Sequence, residues 1–234
     1  MRISLCLVVW NELEGCGIDV PLLPKGFFDE VYAVDGGSSD GTVEYLKSQG
    51  IPVYKQPKKG LNAAYIHARE KSTCDATIVF FPKGTIAPAS LKDFRQRLEE
   101  GYDLVIASRN IKGAHNEEDD RPLRPRKWFV ECLALLAATL WRREGNMVWD
   151  VLHGVKAFTN SAFDKMNILD HGLSIDIEMA ARAYRLRIPR CEIPVKETAR
   201  LHGGTHFAPW STGKKLIKYL AWEIFRNNNE GENE

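Results

Sequence analysis

The sequence predicts an α/β domain built on a mostly parallel sheet. Three observations lead there. Short β-rich runs alternate with helical patterns from residue 3 to residue 108, the rhythm of βαβ units. The first run, "RISLCLVV", is apolar almost throughout, as a strand covered on both faces must be. Gly50 and Gly101 stand where helical patterns stop.

In order, "RISLCLVV" is the first strand and "EVYAV" the second. Asp40 is placed to cap the helix "GTVEYLKSQ". Then come the strand "IPVY", the helix "LNAAYIHAREK", the strand "ATIVFF", the helix "ASLKDFRQRLEE" and the strand "DLVIAS". Right-handed crossovers connect such strands, and ligands bind beyond their carboxyl ends. The segments after Val9, Val34, Phe81 and Ser108 are therefore where chemistry is expected.

The second half is less regular. A loop over 110–126, rich in both charge signs, leads to an apolar helix at 128–141. A helix near 176–187 precedes the strand "RCEIPV", and "RLHGGTHFAPW" leads to a last helix, "GKKLIKYLAWEIFR". The organisation expected is one domain over 1–210, an amphipathic helix over 211–226 and a disordered polar tail over 227–234.

Composition narrows the function. A net charge of +1 gives none of the overall basicity of a nucleic-acid binder. Five scattered cysteines with no paired spacing fit a reducing compartment, not a disulfide framework or a zinc knuckle. The N-terminal apolar run is too short for a signal peptide. The longest apolar stretch, "WFVECLALLAATLW", is 14 residues and contains Glu131, against about 20 needed to span a bilayer. A cytoplasmic protein is the expectation.

After the second strand stands "VDGGSSDGT". Asp35 at a strand exit, followed by two glycines, can accept hydrogen bonds from a base or ribose. The same letters also describe an Asx turn with Asp40 capping the next helix. No G-x-G-x-x-G and no G-K-[ST] occurs here, so it is neither a dinucleotide fingerprint nor a P-loop.

"VVWNE", "VDGGSSDGT", "GLNAAYIHA", "ASRN", "DVLHGVKAF", "DIEMAARAYRLRIPRCEIPV" and "RLHGGTHF" occur in the order and approximate spacing of family 2 glycosyltransferases. Over roughly residues 3–207 the chain resembles that family, and within it the dolichol-phosphate mannose synthase group of polyprenyl-phosphate sugar transferases. The resemblance implies the GT-A fold, a UDP- or GDP-linked sugar donor and a polyprenyl phosphate acceptor at a membrane surface. By position it implies Trp10, Asn11, Glu12, Asp35 and Gly36 around the nucleoside, with Gly60 at a close approach. It places Arg109 and Arg126 near the acceptor phosphate, Arg200 with "HGGTH" on the family's late Arg-x-x-Gly-x-Ser segment, and His202 on the acceptor side. His153 falls near the donor sugar, and Asp150 and Glu178 on acidic positions supporting the acceptor side. Val8 stands where a proline is usual, and Gly36 where a second Asp often sits.

The chemistry agrees with this independently. Arginine forks match phosphate oxygens and stay charged. A phosphate acceptor is already ionised at neutral pH, so no general base need remove a proton. Arg109 and Arg126 can also be read as solvated or ion-paired, and Asp150 and Glu178 as caps or paired carboxylates.

One departure is large. The family's metal-binding Asp-x-Asp falls on Phe81-Pro82-Lys83, and no acidic residue occurs between Asp75 and Asp93. A divalent cation there, Mg²⁺ or Mn²⁺, would stabilise the diphosphate leaving group by several kcal/mol. One reading has the Lys83 ammonium replace the metal, helped by the N–H groups of Gly84 and Thr85 in an anion nest. Catalysis would then lean on Lys83, Arg109, Arg126 and Arg200 without a metal. A second reading leaves a non-catalytic nucleotide-sugar-binding or scaffold protein, with Lys83 merely solvated. A sugar nucleotidyltransferase shares the architecture, but "WNELEGCG" lacks that class's G-x-G-T-R loop.

The last helix spaces Leu216, Leu220 and Ile224 at i, i+4 and i+8 beside Ile217. Lys214, Lys215, Lys218 and Arg226 flank the stripe, and Trp222 and Phe225 add aromatic bulk. This suits an interfacial helix on anionic lipid, or simple packing on the domain. A peripheral protein on the cytoplasmic leaflet is the working expectation, with a lipid or saccharide acceptor.

Overall fold

The computed structural model describes residues 1–24, 26–120, 122–170, 174–198 and 209–230. Seven strands form one sheet: β1 (Ile3–Val9), β2 (Glu30–Asp35), β3 (Val53–Lys55), β4 (Ala76–Phe80), β5 (Leu104–Ser108), β6 (Lys156–Thr159) and β7 (Arg190–Pro194). Their order is β3-β2-β1-β4-β6-β5-β7. Every pairing is parallel except those of β6, which lies antiparallel between β4 and β5.

Successive side chains of a strand point to opposite faces, and β1 feeds two cores. Ile3, Leu5, Leu7 and Val9 pack on one face with α1 (Leu13–Asp19), α2 (Thr42–Ser48) and α4 (Leu91–Glu99). Cys6 and Val8 pack on the other with α3 (Leu61–Lys71), α5 (Pro125–Trp141), α6 (Asn160–Met166), α7 (Ile175–Arg185) and α8 (Pro209–Glu230). The apolar run of the first strand is thus a consequence of burial on both sides.

Several boundaries differ from expectation. β6 and α6 were not anticipated, because "KAFT" is four residues long and begins with a lysine. Lys156 is nevertheless fully buried, and β6 pairs Val79 with it. α5 starts at Pro125, the favoured first helical position for proline, so Arg126 belongs to the helix and not to the preceding loop. Asp40 does not hold the N-cap place of α2. Gly41 does, at φ +95°, while the Asp40 carboxylate accepts the N–H groups of Thr42 (3.0 Å) and of Leu13 at the start of α1 (3.1 Å). It ties the loops after β1 and β2 together.

α8 extends through Glu230, so residues 227–230, expected in a disordered tail, are helical, and 231–234 lie outside the described residues. Of its expected stripe, Leu216 and Leu220 are buried in the core with Tyr219, while Ile217 and Ile224 stay exposed. The fully buried Glu223 binds Tyr219 Oη at 3.0 Å, Arg182 Nη1 of α7 at 3.4 Å, and Arg185 Nη1. The helix is therefore an integral part of the domain.

Candidate active site

The parallel strands deliver their carboxyl ends to one edge. At the β1–β2 end Val9 pairs with Asp35, and the Gly36 N–H reaches Val9 O at 2.9 Å. A Cβ on Gly36 would sit 3.3 Å from Trp10 Cβ, so glycine lets Trp10 lie close over this turn. Asn11, at φ +51°, donates its N–H to Ser38 Oγ (2.8 Å) and accepts the Ser39 N–H on Oδ1 (2.8 Å). Glu12 donates its N–H to Thr42 Oγ1 (3.0 Å). Asp35 is buried and accepts the N–H groups of Gly37 and Ser38, the Asx geometry that was one of its two readings. Gln56 links this end to Gly60: its N–H reaches Asp35 O and its Nε2 reaches Gly60 O at 2.7 Å. Gly60 opens α3 at φ +124°, a conformation only glycine adopts readily. Trp10, Asn11, Glu12, Asp35, Gly36 and Gly60 thus gather at one end of the sheet.

β4 empties into the Pro82-Lys83-Gly84 turn. The turn is held from behind by a carboxylate that no local pattern reveals. Asp19, at the end of α1, is 2% exposed and accepts the Gly84 N–H at 2.8 Å. Burial raises its pKa against the backbone N–H groups of Gly84 and Lys83, which lower it. α1 comes this close because residue 15 is glycine, where a Cβ would meet Pro82 O at 2.2 Å. The expected nest is corrected here: the Gly84 N–H faces Asp19 and is spent before any diphosphate arrives. The Lys83 ammonium stands 5.0 Å from the Phe81 ring centroid.

Next to the turn lies a cleft of about 220 Å³ whose lining includes Phe81, Lys83, Arg109, His153, Asp176 and Glu197. Arg109, at the exit of β5, forks onto Asp150 through Nε (2.8 Å) and Nη2 (2.9 Å), and reaches Glu197 through Nη1 (2.9 Å). Nη1 and Nη2 each carry a second N–H beyond these bonds. Burial would lower the arginine's pKa, but the two carboxylates raise it, so it stays charged. Burial likewise acts to raise the Asp150 pKa, and Arg109 more than offsets it. Asp150 is itself placed by its N–H on Glu192 (2.8 Å).

His153 is 3% exposed, and its Nδ1 accepts the Val155 N–H at 3.1 Å. Burial first, and Arg109 second, push its pKa down to about 3. Behind it, the buried Lys156 ammonium binds His153 O and the Asp176 carboxylate.

Other expected residues lie elsewhere. Arg126 is 59% exposed, pairs with Glu117 at 2.8 Å and does not line the cleft. Glu178 does not reach the cleft either. It is fully buried and accepts Asn62 Nδ2 (2.9 Å), Ser174 Oγ (2.9 Å) and the Leu169 N–H (3.1 Å), joining α3 to α7. Arg200 and His202 lie outside the described residues. Sequence reasoning missed Asp19, Gly15, Lys156, Asp176 and Glu197. Asp176, two residues before Glu178, and Lys156, three after His153, stood within quoted motifs, which is the signal that could have found them.

The turn's donor set does not fit a divalent cation. Phe81, Pro82 and Lys83 offer no carboxylate, Asp19 faces backbone N–H groups, and Asp176 and Glu197 are each paired with a cation. Among the described residues no group of three or more His, Cys, Asp or Glu is arranged to hold a metal.

The sequence pattern described as "Glycosyl transferase family 2" matches residues 23–170. The chain is 27% identical over 229 residues to glycosyltransferase AglJ of Haloferax volcanii, covering 96% of this chain and 73% of that protein. It is 26% identical to the dolichyl-phosphate hexose transferase of the same organism, covering 96% of each. It is 23% identical to the polyprenol monophosphomannose synthase of Mycolicibacterium smegmatis, covering 83% of this chain and 76% of that protein. In fold it is similar to glucosyl-3-phosphoglycerate synthase from Mycobacterium tuberculosis, solved with Mn²⁺, UDP and phosphoglyceric acid. That likeness has a TM-score of 0.70 at 18% identity, over 94% of this chain and 77% of that one. The architecture is the expected GT-A α/β fold.

Proposed function

The chain belongs to glycosyl transferase family 2, and we propose that it moves a hexosyl group from a nucleoside-diphosphate sugar to a polyprenyl phosphate at a membrane surface. The observation that carries this reading is the cleft beyond β4 and β5, where Lys83 and Arg109 stand on one wall system. The acceptor class is supported by the relatives named for dolichyl phosphate and polyprenol substrates. UDP and UDP-glucose complexes of the glucosyl-3-phosphoglycerate synthase support the donor class.

In the proposed step an acceptor phosphate oxygen attacks C1 of the sugar. The bond from C1 to the diphosphate oxygen breaks, and its electron pair leaves with the nucleoside diphosphate. The acceptor oxygen is already anionic, so no proton need be removed. The Lys83 ammonium meets the charge that develops on the departing diphosphate. The second N–H groups of Arg109 Nη1 and Nη2 orient the acceptor phosphate. Donor binding without a divalent cation follows from this assignment, as the turn's chemistry favours an anion over a metal. Trp10, Asn11, Glu12, Asp35, Gly36 and Gly60 cradle the nucleoside.

The membrane side is α5. Trp128, Cys132, Leu135 and Leu136 are exposed along one of its faces at i, i+4, i+7 and i+8, and α8 adds exposed Ile217, Trp222, Ile224 and Phe225. Exposed Lys214, Lys215 and Lys218 accompany them. No helix among the described residues is long and apolar enough to cross a membrane.

The test is calorimetric binding of UDP, GDP and their glucose and mannose conjugates, first with chelator and then with Mg²⁺ or Mn²⁺. The expected result is one conjugate bound equally well in both conditions, with Lys83→Ala weakening it at least tenfold. Binding that requires the metal would overturn the role given to Lys83. Transfer to a short polyprenyl phosphate then checks the acceptor.

A further inference from the structure

His153 is a buried hydrogen-bond donor with nothing to donate to among the described residues. Its Nδ1 accepts the Val155 N–H, so that nitrogen carries the lone pair and the proton resides on Nε2. Nε2 has no hydrogen-bond partner among the described residues. A buried polar atom left unmatched in a folded protein calls for an explanation, and a bound ligand is one. The ring lines the cleft beside Lys83, Arg109 and Asp176.

The surroundings select the ligand atom. The neutral ring can donate but contributes no charge, whereas Lys83 and Arg109 already offer charged donors suited to phosphate. Asp176 and Glu197 also line the cleft, and a carboxylate repels a phosphate oxygen but accepts from a hydroxyl. Donor N–H groups and acceptor carboxylates side by side match a polyol, whose hydroxyls accept and donate at once. Gly154, which follows His153, allows Phe81 to close on this wall, since a Cβ there would meet the Phe81 ring at 3.0 Å.

From this geometry we infer that His153 is a specificity-determining residue, its Nε2–H donating to one hydroxyl of the transferred hexose while Asp176 and Glu197 accept from others. The inference rests on the glycosyltransferase reading above and adds which part of the donor this wall reads. The nucleoside diphosphate alone should not sense His153.

The experiment compares UDP, GDP, UDP-glucose and GDP-mannose, with the singly deoxygenated analogues of whichever conjugate binds, on wild type, His153→Ala and His153→Gln. His153→Ala is expected to weaken the conjugate about tenfold, the size of one lost hydrogen bond in a dry site, and to leave the bare diphosphate within about twofold. His153→Gln, which restores an N–H donor, should recover most of the loss. One deoxygenated analogue should bind wild type about tenfold less well than the parent and bind His153→Ala no less well than the parent. Equal weakening of diphosphate and conjugate, or no weakening of either, overturns the inference. So does a wild type indifferent to every single deoxygenation, a result that holds even where His153→Ala does not fold. Failure of wild type to bind any of the four nucleotides overturns the donor reading itself, and this role of His153 with it.

Discussion

Asp150 grips Arg109 at three points: its Oδ2 takes both the Nε–H and the backbone N–H of Arg109, and its Oδ1 takes Nη2. The guanidinium is therefore fixed before any ligand arrives. Asp150 is fully buried and pairs with no other cation among the described residues. Arg109→Ala would leave a buried carboxylate without its partner, a change that costs about 3–5 kcal/mol. Arg109→Lys keeps a charge but loses the fork, so a smaller loss of stability and a transfer rate at least tenfold lower are expected. Urea unfolding and a transfer assay on both variants check this. A lysine variant with unchanged transfer would remove Arg109 from the phosphate site.

Much of this was legible in the sequence because backbone physics writes regularly. β1 reads as buried on both faces, and α3 was legible residue for residue, Leu61–Lys71. The gathering of Trp10, Asn11, Asp35 and Gly36 follows once parallel strands place their carboxyl ends together. What stayed hidden depends on contacts far along the chain. Asp19 meets Gly84 across 65 positions, and Glu197 meets Arg109 across 88. Lys156 reads as an exposed lysine until Asp176 and the His153 carbonyl are seen to surround it. Arg126 shows the converse: charge and position suggested the site, while its side chain pairs with Glu117 at the surface, the ion-paired reading the sequence had left open.

Two glycines of one helix make a paired test of the Lys83 turn. A Cβ at Gly15 would meet Pro82 O at 2.2 Å, while one at Gly17 would meet nothing within 4 Å. Alanine favours a helix over glycine by up to about 1 kcal/mol, so Gly17→Ala should be neutral or stabilising. At Gly15 the same gain is outweighed, because a backbone carbonyl cannot step aside as a side chain can. Gly15→Ala should cost about 1–3 kcal/mol and weaken nucleotide-sugar binding by moving the turn. Thermal unfolding and calorimetry on the two variants separate the effects. Equal behaviour of the pair would mean that the close approach of α1 does not shape the site.

The neutral His153 also makes a prediction about acid. Its pKa is pushed down to about 3 in the folded chain by burial, with Arg109 and Lys156 disfavouring the charge and Asp150 partly opposing them. In the unfolded chain an ordinary histidine titrates near about 6.5. Above that pH neither state is protonated and the residue adds no pH dependence. Below it the unfolded chain takes up a proton that the folded chain refuses. Stability therefore falls with acid, by about 1.4 kcal/mol per pH unit from about 6.5 down toward about 3. His153→Gln should lose that slope. Chemical unfolding at pH 7.5 and 5.5 should show wild type losing about 1.4 kcal/mol more than the variant. Parallel losses would mean that the ring is protonated in the folded protein.

The exposed face of α5 gives a prediction about location. Trp128, Leu135 and Leu136 are 49%, 50% and 46% exposed, on a helix whose opposite face buries Val130, Leu133, Ala134 and Ala137 in the core. The exposed side can change without opening a cavity, so Leu135→Ser with Leu136→Ser should leave the unfolding temperature nearly unaltered. If that face meets lipid, the double variant should pellet poorly with vesicles. Wild type should bind anionic vesicles better than neutral ones, given the lysines at 214, 215 and 218, and added salt should weaken the difference. Transfer to a short, water-soluble polyprenyl phosphate should survive in the variant, since neither leucine lines the cleft. Transfer to a long-chain acceptor held in vesicles should fall. Unchanged vesicle binding in the variant would move the membrane contact away from α5.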